Sequence, residues 1–272
     1  MASFKNKIVL ITGGASGIGL LMAKRAMLEG AQEVVIWDFN TKNLEAMQTS
    51  FRNEDLTCMC SKVDVSDPNA VQQAAQHVLN DLGHVDILIN NAGIVVGKPF
   101  HAHTTEDIER TIAVNQLAPM FVTRAFLPSM MLRNSGHIVA ITSAAGLTPN
   151  PGMSAYASSK WGAIGWVESL RVELEPVFPH IKVLNVMPSY IDTGMFAGVT
   201  APRLIPILKP EYIVEKIIHA IKTDKARLMA PFLVKFTNLL KGILPMRMYD
   251  YVARNWFQVY SSMSTFTGRP DE

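Results

Sequence analysis

The sequence predicts an α/β fold: a single doubly wound parallel sheet with helices on both faces and a C-terminal helical extension. Short runs rich in Val and Ile alternate with longer helical segments from the first residues onward, and such alternation builds βαβ units whose parallel strands share one sheet. The strand-like runs show little polar alternation, as is typical of parallel strands covered on both faces. The 272 residues suit one such domain over 1–272.

Strands and helices alternate strictly as far as Asn90. Four predicted strands are apolar runs bounded by turn residues: Ile8–Thr12, Glu33–Asp38, Leu56–Val65 and Val85–Asn90. Three longer segments between them are predicted helices: Gly17–Glu29, Asn43–Arg52 and Asn69–Leu82.

The same order continues in the second half of the chain. The later predicted strands are His137–Thr142, Ile181–Val186 and Arg227–Ala230. The later predicted helices are Ile108–Met131, Ser154–Glu175 and Pro210–Thr223. Pro176 ends the second of these helices, because proline cannot continue a helix.

Two segments lack this alternation. The cover segment, Ser189–Lys209, is rich in Pro, Gly, Thr and large apolar residues without a clear period, which predicts a mobile cover over a site. The C-terminal extension, Pro231–Glu272, is apolar, and the favoured interpretation is that it completes the core or a subunit interface. It could instead close a substrate pocket, or rest on a membrane surface through cations that interleave with its apolar residues. Those cations are Lys235, Lys241, Arg247 and Arg254.

Composition argues against several classes of function. The formal net charge is only +2 and the Lys and Arg residues are spread along the chain, so no nucleic-acid partner is expected. Cys58 and Cys60 lie in one apolar run without a His or Asp cluster, and we interpret them as core residues in a reducing compartment. No metal is expected. The polar N-terminus and the lack of twenty consecutive apolar residues predict a soluble intracellular, cytoplasmic protein.

A glycine-rich turn follows the first predicted strand, in the run Thr12-Gly13-Gly14-Ala15-Ser16-Gly17-Ile18-Gly19. Glycines between a strand and a helix let the backbone approach a pyrophosphate, which the free N–H groups of the helix N-terminus then bind. Asp38 ends the second strand, where a carboxylate accepts ribose hydroxyls and repels a 2′-phosphate. Since no Lys or Arg lies in the turn or directly after Asp38, this Rossmann-like arrangement predicts NAD rather than NADP.

A second polar run, Asn90-Asn91-Ala92-Gly93, closes the fourth predicted strand. At the carboxyl end of a strand such residues can bind cofactor groups in the crevice, although the same run suits an ordinary turn.

The third group consists of Ser143, at the end of a strand, with Tyr156 and Lys160 on the helix that follows. Tyr156 and Lys160 are four positions apart and share one helix face. A free tyrosine has a pKa near ~10, and a nearby ammonium is expected to lower the pKa by stabilising the phenolate. Tyr156 would then exchange the hydroxyl proton of an alcohol during hydride transfer, while Ser143 holds the substrate oxygen. Alone, Tyr-x-x-x-Lys is more often a surface pair.

Together these motifs resemble the short-chain dehydrogenase/reductase family over most of the chain. They occur in the family's order: Thr12 to Gly19, Asp38, Asp64-Val65, Asn90 to Gly93, Asn115, Ser143, Tyr156, Lys160, Pro188 and Thr193. The resemblance implies a catalytic tetrad of Asn115, Ser143, Tyr156 and Lys160. In it, Asn115 holds a water that links Lys160 to solvent, and Lys160 also binds the nicotinamide ribose.

The resemblance also implies the cofactor contacts. Asp64 and Val65 are similar to adenine contacts, Asn91 to a residue beside the adenosine ribose, and Pro188 to Thr193 to the segment that meets the nicotinamide carboxamide. The implied cofactor-binding set is Gly13, Ser16, Gly17, Ile18, Gly19, Asp38, Asp64, Val65, Asn91, Ala92, Gly93, Asn115, Tyr156, Lys160, Pro188, Ser189, Ile191 and Thr193. Where the family usually has Gly after the proline, this chain has Ser189, whose side chain could narrow the nicotinamide pocket or add a hydrogen bond.

Within the family the chain is most similar to the branch that acts on retinol and 17β-hydroxysteroids. The similar stretches are Trp37-Asp38, Ala125 to Pro128, Ile243 to Pro245 and Phe266 to Arg269. The apolar residues of the cover segment likewise predict a lipophilic alcohol or its carbonyl, a long-chain alcohol included, bound by Ser143, Tyr156, Val95, Met153 and Phe196, although the apolar residues could instead pack against the core. The resemblance to this branch implies the same substrate class. It also implies a homodimer or homotetramer through the long helices. Some members associate with lipid droplets, so peripheral membrane or lipid-droplet association is the alternative location, although the apolar anchor of many relatives is missing here.

Two rival hypotheses accompany the dehydrogenase. One is an NAD(H)-binding sensor or scaffold without turnover, which would not need Tyr156 and Lys160 together. The other is a sugar-nucleotide epimerase, which shares Tyr-x-x-x-Lys but needs a longer substrate domain than the residues after Pro188 supply.

Overall fold

A computed structural model describes residues 3–268, and a seven-stranded parallel sheet organises them in the order β3-β2-β1-β4-β5-β6-β7. The strands are β1 (Ile8–Thr12), β2 (Glu33–Asp38), β3 (Met59–Lys62), β4 (Ile87–Asn90), β5 (Gly136–Ile141), β6 (Ile181–Pro188) and β7 (Arg227–Ala230). The helices are α1 (Gly17–Leu28), α2 (Thr41–Asn53), α3 (Pro68–Leu82), α4 (Thr105–Ile112), α5 (Ala118–Arg133), α6 (Ser154–Leu174), α7 (Pro210–Lys222), α8 (Thr237–Ile243) and α9 (Met246–Tyr251). The predicted fold class is confirmed.

Burial on both faces of the sheet explains why its strands are apolar throughout. Val9 and Ile11 of β1 enter a core with α1, α2 and α7. Ile8 and Leu10 enter a second core with α3, α5 and α6. Because successive side chains of a strand point to opposite faces, a strand with a helical layer on each side needs apolar residues at every position.

Two predicted elements differ from the structure. The strand predicted over Leu56–Val65 forms only as β3, because Leu56 closes the end of α2 through its N–H and Val63 to Val65 turn away to line a cleft. The helix predicted over Ile108–Met131 starts earlier, at a capping box between Thr104 and Asp107. A wider π-helical turn, Ala113–Leu117, separates α4 from α5 and holds Asn115.

The strand order places a crevice between β1 and β4. The chain moves outward from β1 to β3 and returns to β4 on the other side of β1. In such sheets ligands bind at the carboxyl ends of the strands where the order reverses. Gly13, Asp38, Asn91, Ser143 and Ser189 each stand at or just after such an end, so the fold collects the predicted residues at one edge.

The C-terminal extension holds the cover segment in place through main-chain hydrogen bonds. The N–H of Thr200 donates to the Ser262 carbonyl at 3.0 Å, and that of Arg203 donates to the Phe257 carbonyl at 2.8 Å. Arg269 to Glu272, which belong to the predicted extension and to one of the similar stretches, lie outside the described residues. Among residues 3–268 no helix is both long and apolar enough to cross a membrane.

Candidate active site

A cleft runs along the carboxyl edge of the sheet and brings together most of the predicted cofactor residues. Those that line it are Gly13, Ser16, Gly17, Ile18, Asp38, Asp64, Val65, Asn91, Ala92, Gly93, Tyr156, Lys160, Pro188, Ser189, Ile191 and Thr193. The remaining two, Gly19 and Asn115, do not line the cleft. They contact its lining from behind, at Gly13 and Gly93.

The glycine turn is shaped by contacts that leave no room for side chains. Gly13 has φ +61°, and a Cβ there would lie 2.9 Å from the Ala92 Cα. A Cβ on Gly19 would clash with the Gly13 carbonyl oxygen. The side-chain amide of Asn91 donates to the carbonyls of Thr12 and Gly13 at 3.0 and 2.9 Å. Asn91 therefore fixes the turn, and its implied position beside the adenosine ribose stays a prediction.

Asp38 is held where an adenosine ribose would lie. Its carboxylate accepts hydrogen bonds from the N–H groups of Ala15 and Asn40 at 3.1 and 3.0 Å, and it is 8% exposed. Each carboxylate oxygen can accept a further hydrogen bond, because an ionised carboxylate offers about four lone-pair sites. The turn at the start of α1, the carboxylate at the end of β2 and the ammonium of Lys160 fit a dinucleotide along this cleft.

Two residues that the sequence did not predict, Phe39 and Arg110, line the cleft near Asp38. The Arg110 guanidinium of α4 lies 5.6 Å from the centre of the Phe39 ring, and both residues line the cleft. They are distant in sequence and come from opposite walls, so no local pattern signals their contact. Together with Lys160, Arg110 is one of the two Lys or Arg residues of this lining.

Tyr156 and Lys160 lie one turn apart on α6 and are only 4% and 5% exposed. The Lys160 Nζ donates to the Ile141 carbonyl at 3.1 Å and lies 5.8 Å from the centre of the Tyr156 ring. The Ser143 side chain accepts a hydrogen bond from the Ala145 N–H at 3.1 Å, and its interaction with the Tyr156 hydroxyl lowers the pKa of Tyr156. The three side chains predicted to act together therefore share one buried end of the cleft.

The protein alone does not make Tyr156 acidic. Burial raises the pKa of Tyr156 to about 12, which outweighs the lowering effect of the Ser143 hydrogen bond. Burial also lowers the pKa of Lys160 to about 8. Desolvation is the largest cause of both shifts in the cofactor-free chain. The expectation that Lys160 lowers the pKa of Tyr156 beside an oxidised nicotinamide stays a prediction.

The side chain of Asn115 is fully engaged with protein partners. It accepts from the Ile94 N–H at 2.9 Å and donates to the Ile94 carbonyl at 2.9 Å and to the Ser159 hydroxyl at 3.1 Å. Asn115 thus joins the loop after β4 to α6. Gly93 lies in that loop, and a Cβ on it would lie 3.5 Å from the Lys160 Nζ. Its implied role toward water remains a prediction.

A second, mostly apolar cavity of 320 Å³ adjoins the cleft and shares Ser143, Ser189 and Phe196 with it. Met153 and Phe196, two of the predicted substrate residues, line it. Val95 does not line it but packs against the cluster of Met153 and Tyr156. Half of its wall comes from the C-terminal extension, including Leu233, Val234, Phe236, Leu239, Leu240, Tyr249 and Phe257. The extension therefore closes this cavity, which was one of its three alternative interpretations.

Comparison with known sequences decides the family. The profile described as short chain dehydrogenase matches residues 7–203. The chain belongs to the short-chain dehydrogenase family. Its relatives include epidermal retinol dehydrogenase 2 of Mus musculus, 39% identical over 97% of this chain and 86% of that protein. Another is estradiol 17-beta-dehydrogenase 11 of Pongo abelii, 36% identical over 93% of this chain and 84% of that protein.

Solved structures of this short-chain dehydrogenase fold carry either cofactor. A short-chain dehydrogenase/reductase from Burkholderia phymatum in complex with NAD matches with a TM-score of 0.80 at 23% identity, over 89% of this chain and 95% of that one. A metagenomic short-chain oxidoreductase in complex with NADP matches with a TM-score of 0.71 at 29% identity, over 84% of this chain and 98% of that one. The first match shows the shared fold, and the two solved proteins differ in the form of the cofactor that they hold.

Proposed function

We propose that this short-chain dehydrogenase interconverts a lipophilic primary or secondary alcohol and its carbonyl, with NAD as cofactor. The observation that carries the proposal is the junction of the two cavities at Ser143. On one side lies the cleft with Tyr156 and Lys160, and on the other a largely apolar cavity closed by the C-terminal extension. A pocket that is mostly apolar with a few converging polar groups suits a lipophilic ligand that presents one polar end to them.

In this mechanism Ser143 donates or accepts a hydrogen bond at the substrate oxygen and so holds it beside the Tyr156 hydroxyl. Tyr156 takes the hydroxyl proton when an alcohol is oxidised and returns a proton when a carbonyl is reduced. Lys160 stabilises the phenolate and binds the nicotinamide ribose. When bound by the residues of the cleft, NAD would supply the hydride acceptor and, in its oxidised form, a positive charge that favours the phenolate, which burial alone disfavours.

Two features support a substrate such as retinol, a hydroxysteroid or a long-chain alcohol. The relatives carry the names retinol dehydrogenase and estradiol dehydrogenase. The cavity volume of 320 Å³ is close to the lower end of the range for small-molecule sites, roughly 300–1,000 Å³. The few polar groups in its wall include Thr148 and Tyr249, whose hydroxyl oxygens are 2.5 Å apart.

A substrate panel tests the proposal. The chain is incubated with NAD and retinol, a 17β-hydroxysteroid or a long-chain aliphatic alcohol, and the absorbance of NADH is followed. At least one of these is expected to give turnover, and short polar alcohols such as glycerol, the matched controls, are expected to give far less. Tight NADH binding without turnover on any member of the panel would favour the sensor hypothesis instead.

We also propose that the extension rests on a lipid surface, so that substrate enters from an apolar phase. Phe236 and Leu239 line the cavity and are themselves 40% and 55% exposed, which supports an opening of the cavity near them. Further exposed apolar residues of the extension are Phe232, Ile243, Met246, Met248, Tyr251 and Trp256. Residues 231–268 carry one acidic side chain, Asp250, and four basic ones, Lys235, Lys241, Arg247 and Arg254. This excess of positive charge favours an anionic lipid surface.

Vesicle sedimentation tests the lipid proposal. The chain is expected to sediment with phosphatidylserine-containing vesicles more than with neutral phosphatidylcholine vesicles. Ile243→Ser is expected to lower the partition coefficient about tenfold, because burying a side chain of this size stabilises by ~1.5 kcal/mol or more. Leu28→Ser, at an equally exposed position on α1, is the control and should leave binding unchanged. Equal losses in the two variants, or no sedimentation with either vesicle, would refute the proposal.

A further inference from the structure

We infer that Cys58 and Cys60 form a thiol oxidation site that adjusts the affinity of the chain for its dinucleotide. Their sulfur atoms lie 3.2 Å apart at the start of β3, the edge strand of the sheet, and both residues are half-buried. From the sequence alone, the two cysteines are predicted to be core residues that do not react with each other. A disulfide requires about 2.05 Å between the sulfur atoms, so a movement of about one ångström would join the two side chains.

The two thiols are not equivalent. The hydrogen bond between their sulfur atoms lowers the pKa of Cys60, and the same hydrogen bond, together with burial, raises the pKa of Cys58. The thiolate is the nucleophilic form of cysteine. The Cys60 thiolate is therefore expected to react first with an oxidant. The neighbouring Cys58 thiol lies where it can attack the oxidised Cys60 sulfur.

The oxidant is a peroxide, and hydrogen peroxide serves as the probe. The Cys60 thiolate attacks one peroxide oxygen, the O–O bond breaks, a sulfenic acid forms and hydroxide leaves. The Cys58 sulfur then attacks the Cys60 sulfur, forming the S–S bond and breaking the S–O bond. Water leaves with the Cys58 proton. Each sulfur loses one electron overall, and the peroxide gains both.

A disulfide between residues two apart changes the strand that leads to the adenosine end of the cleft. In an extended strand such Cα atoms are about 6.6 Å apart, whereas disulfides most often join Cα atoms about 5.5–6 Å apart. Formation of the disulfide would therefore bring the Cα atoms of Cys58 and Cys60 closer together at the start of β3. In this strand Cys60 and Lys62 pair with Ile36 and Asp38 of β2. Three residues beyond Cys60, Val63 donates to the Asp38 carbonyl at 3.0 Å, and Asp64 and Val65 line the cleft.

Strand β3 therefore connects the two sulfur atoms to residues that are proposed to bind the cofactor. This step of the inference rests on the proposed function. A small, half-exposed ring is also the kind of disulfide that thiols reduce readily, as regulatory disulfides require. We therefore expect weaker NADH binding after oxidation and full recovery after reduction.

Intact-mass measurement and NADH titration of the full-length chain, before and after hydrogen peroxide and again after dithiothreitol, test the inference. Oxidation is expected to remove two hydrogen atoms per chain and both free thiols, and to raise the Kd for NADH severalfold. Dithiothreitol should reverse each change. Cys60→Ser should abolish all of them, while Cys58→Ser should leave Cys60 as a sulfenic acid that dimedone captures.

Three results would overturn the inference: disulfide-linked dimers, oxygen addition at Cys58 or Cys60 of the wild-type chain in peptide mapping (which separates it from oxidation of exposed methionines), or an internal disulfide with an unchanged Kd. The mass readout does not depend on cofactor binding. An untreated chain that fails to bind NADH would therefore refute the proposed function and would leave the thiol chemistry to be judged by mass alone.

Discussion

Tyr156→Phe is expected to lower kcat/KM for alcohol oxidation by about 10³-fold, within the range of ~10²–10⁴-fold that a positioned acid or base contributes. The substitution removes the hydroxyl that carries the proton and keeps the ring. That ring packs against Met153 and Tyr190 and lies 6.0 Å, centre to centre, from Phe196. Folding and NADH binding should therefore change little, and steady-state kinetics beside an NADH titration would separate the two effects.

Tyr190→Phe is the matched control, since Tyr190 belongs to the same buried cluster. Its hydroxyl accepts a hydrogen bond from the Asn150 side-chain amide at 2.8 Å and shares one with the Ser262 hydroxyl at 2.8 Å. These hydrogen bonds support the cavity wall, so loss of the Tyr190 hydroxyl should raise KM more than it lowers kcat. Comparable losses of kcat in both variants would show that Tyr156 has no special role in proton transfer.

The Tyr156→Phe substitution should also change how kcat for alcohol oxidation depends on pH. Oxidation needs the phenolate of Tyr156, and burial raises the pKa of this group to about 12 in the cofactor-free chain. Raising the pH removes the phenolic proton, so kcat for oxidation at saturating NAD should increase with pH until Tyr156 is ionised. Reduction needs the phenol and should not share this increase. A wild-type oxidation profile as flat as that of Tyr156→Phe would contradict the assignment.

The parts of the molecule that sequence predicts well are those with a local physical cause. A strand such as β1 must be apolar throughout because helices cover both of its faces, and this pattern is visible without any structure. The glycine turn is also largely local, because Gly13 has a positive φ and a Cβ on Gly19 would clash with the Gly13 carbonyl oxygen of the same turn. Tyr156 and Lys160 are linked by helical periodicity alone.

The parts that sequence did not predict depend on tertiary burial. The spacing of Tyr156 and Lys160 gives their shared face but not the desolvation that opposes both charges. The Arg110–Phe39 contact joins α4 to the end of β2, and the Cys58–Cys60 contact depends on the side-chain conformations at an edge strand. The sequence left closure of the pocket by the extension as one of three interpretations, because the lining contacts of the extension and its hydrogen bonds to the aperiodic cover segment are tertiary.

Asp38→Ala is expected to weaken NADH binding by about 10- to 100-fold, since a hydrogen bond to a charged group contributes ~1.5–3 kcal/mol. NADPH binding should fall much less or increase, because the carboxylate that repels a 2′-phosphate is gone. Arg110 lines the same cleft and would then lie near that phosphate without the Asp38 carboxylate. Fluorescence titration of both reduced cofactors gives the two Kd values and their ratio.

The ratio matters because Asp38 also has a structural role. Its carboxylate accepts the N–H groups of Ala15 and Asn40, and losing these bonds would loosen the cleft for both cofactors alike. A shift in the Kd ratio therefore isolates the ribose contact, whereas a parallel loss does not. Asp81→Ala, which removes an exposed carboxylate from α3, controls for net charge and should leave both Kd values unchanged. Equal losses of NADH and NADPH affinity in Asp38→Ala would refute the NAD assignment, because they would reduce Asp38 to a support for the glycine turn.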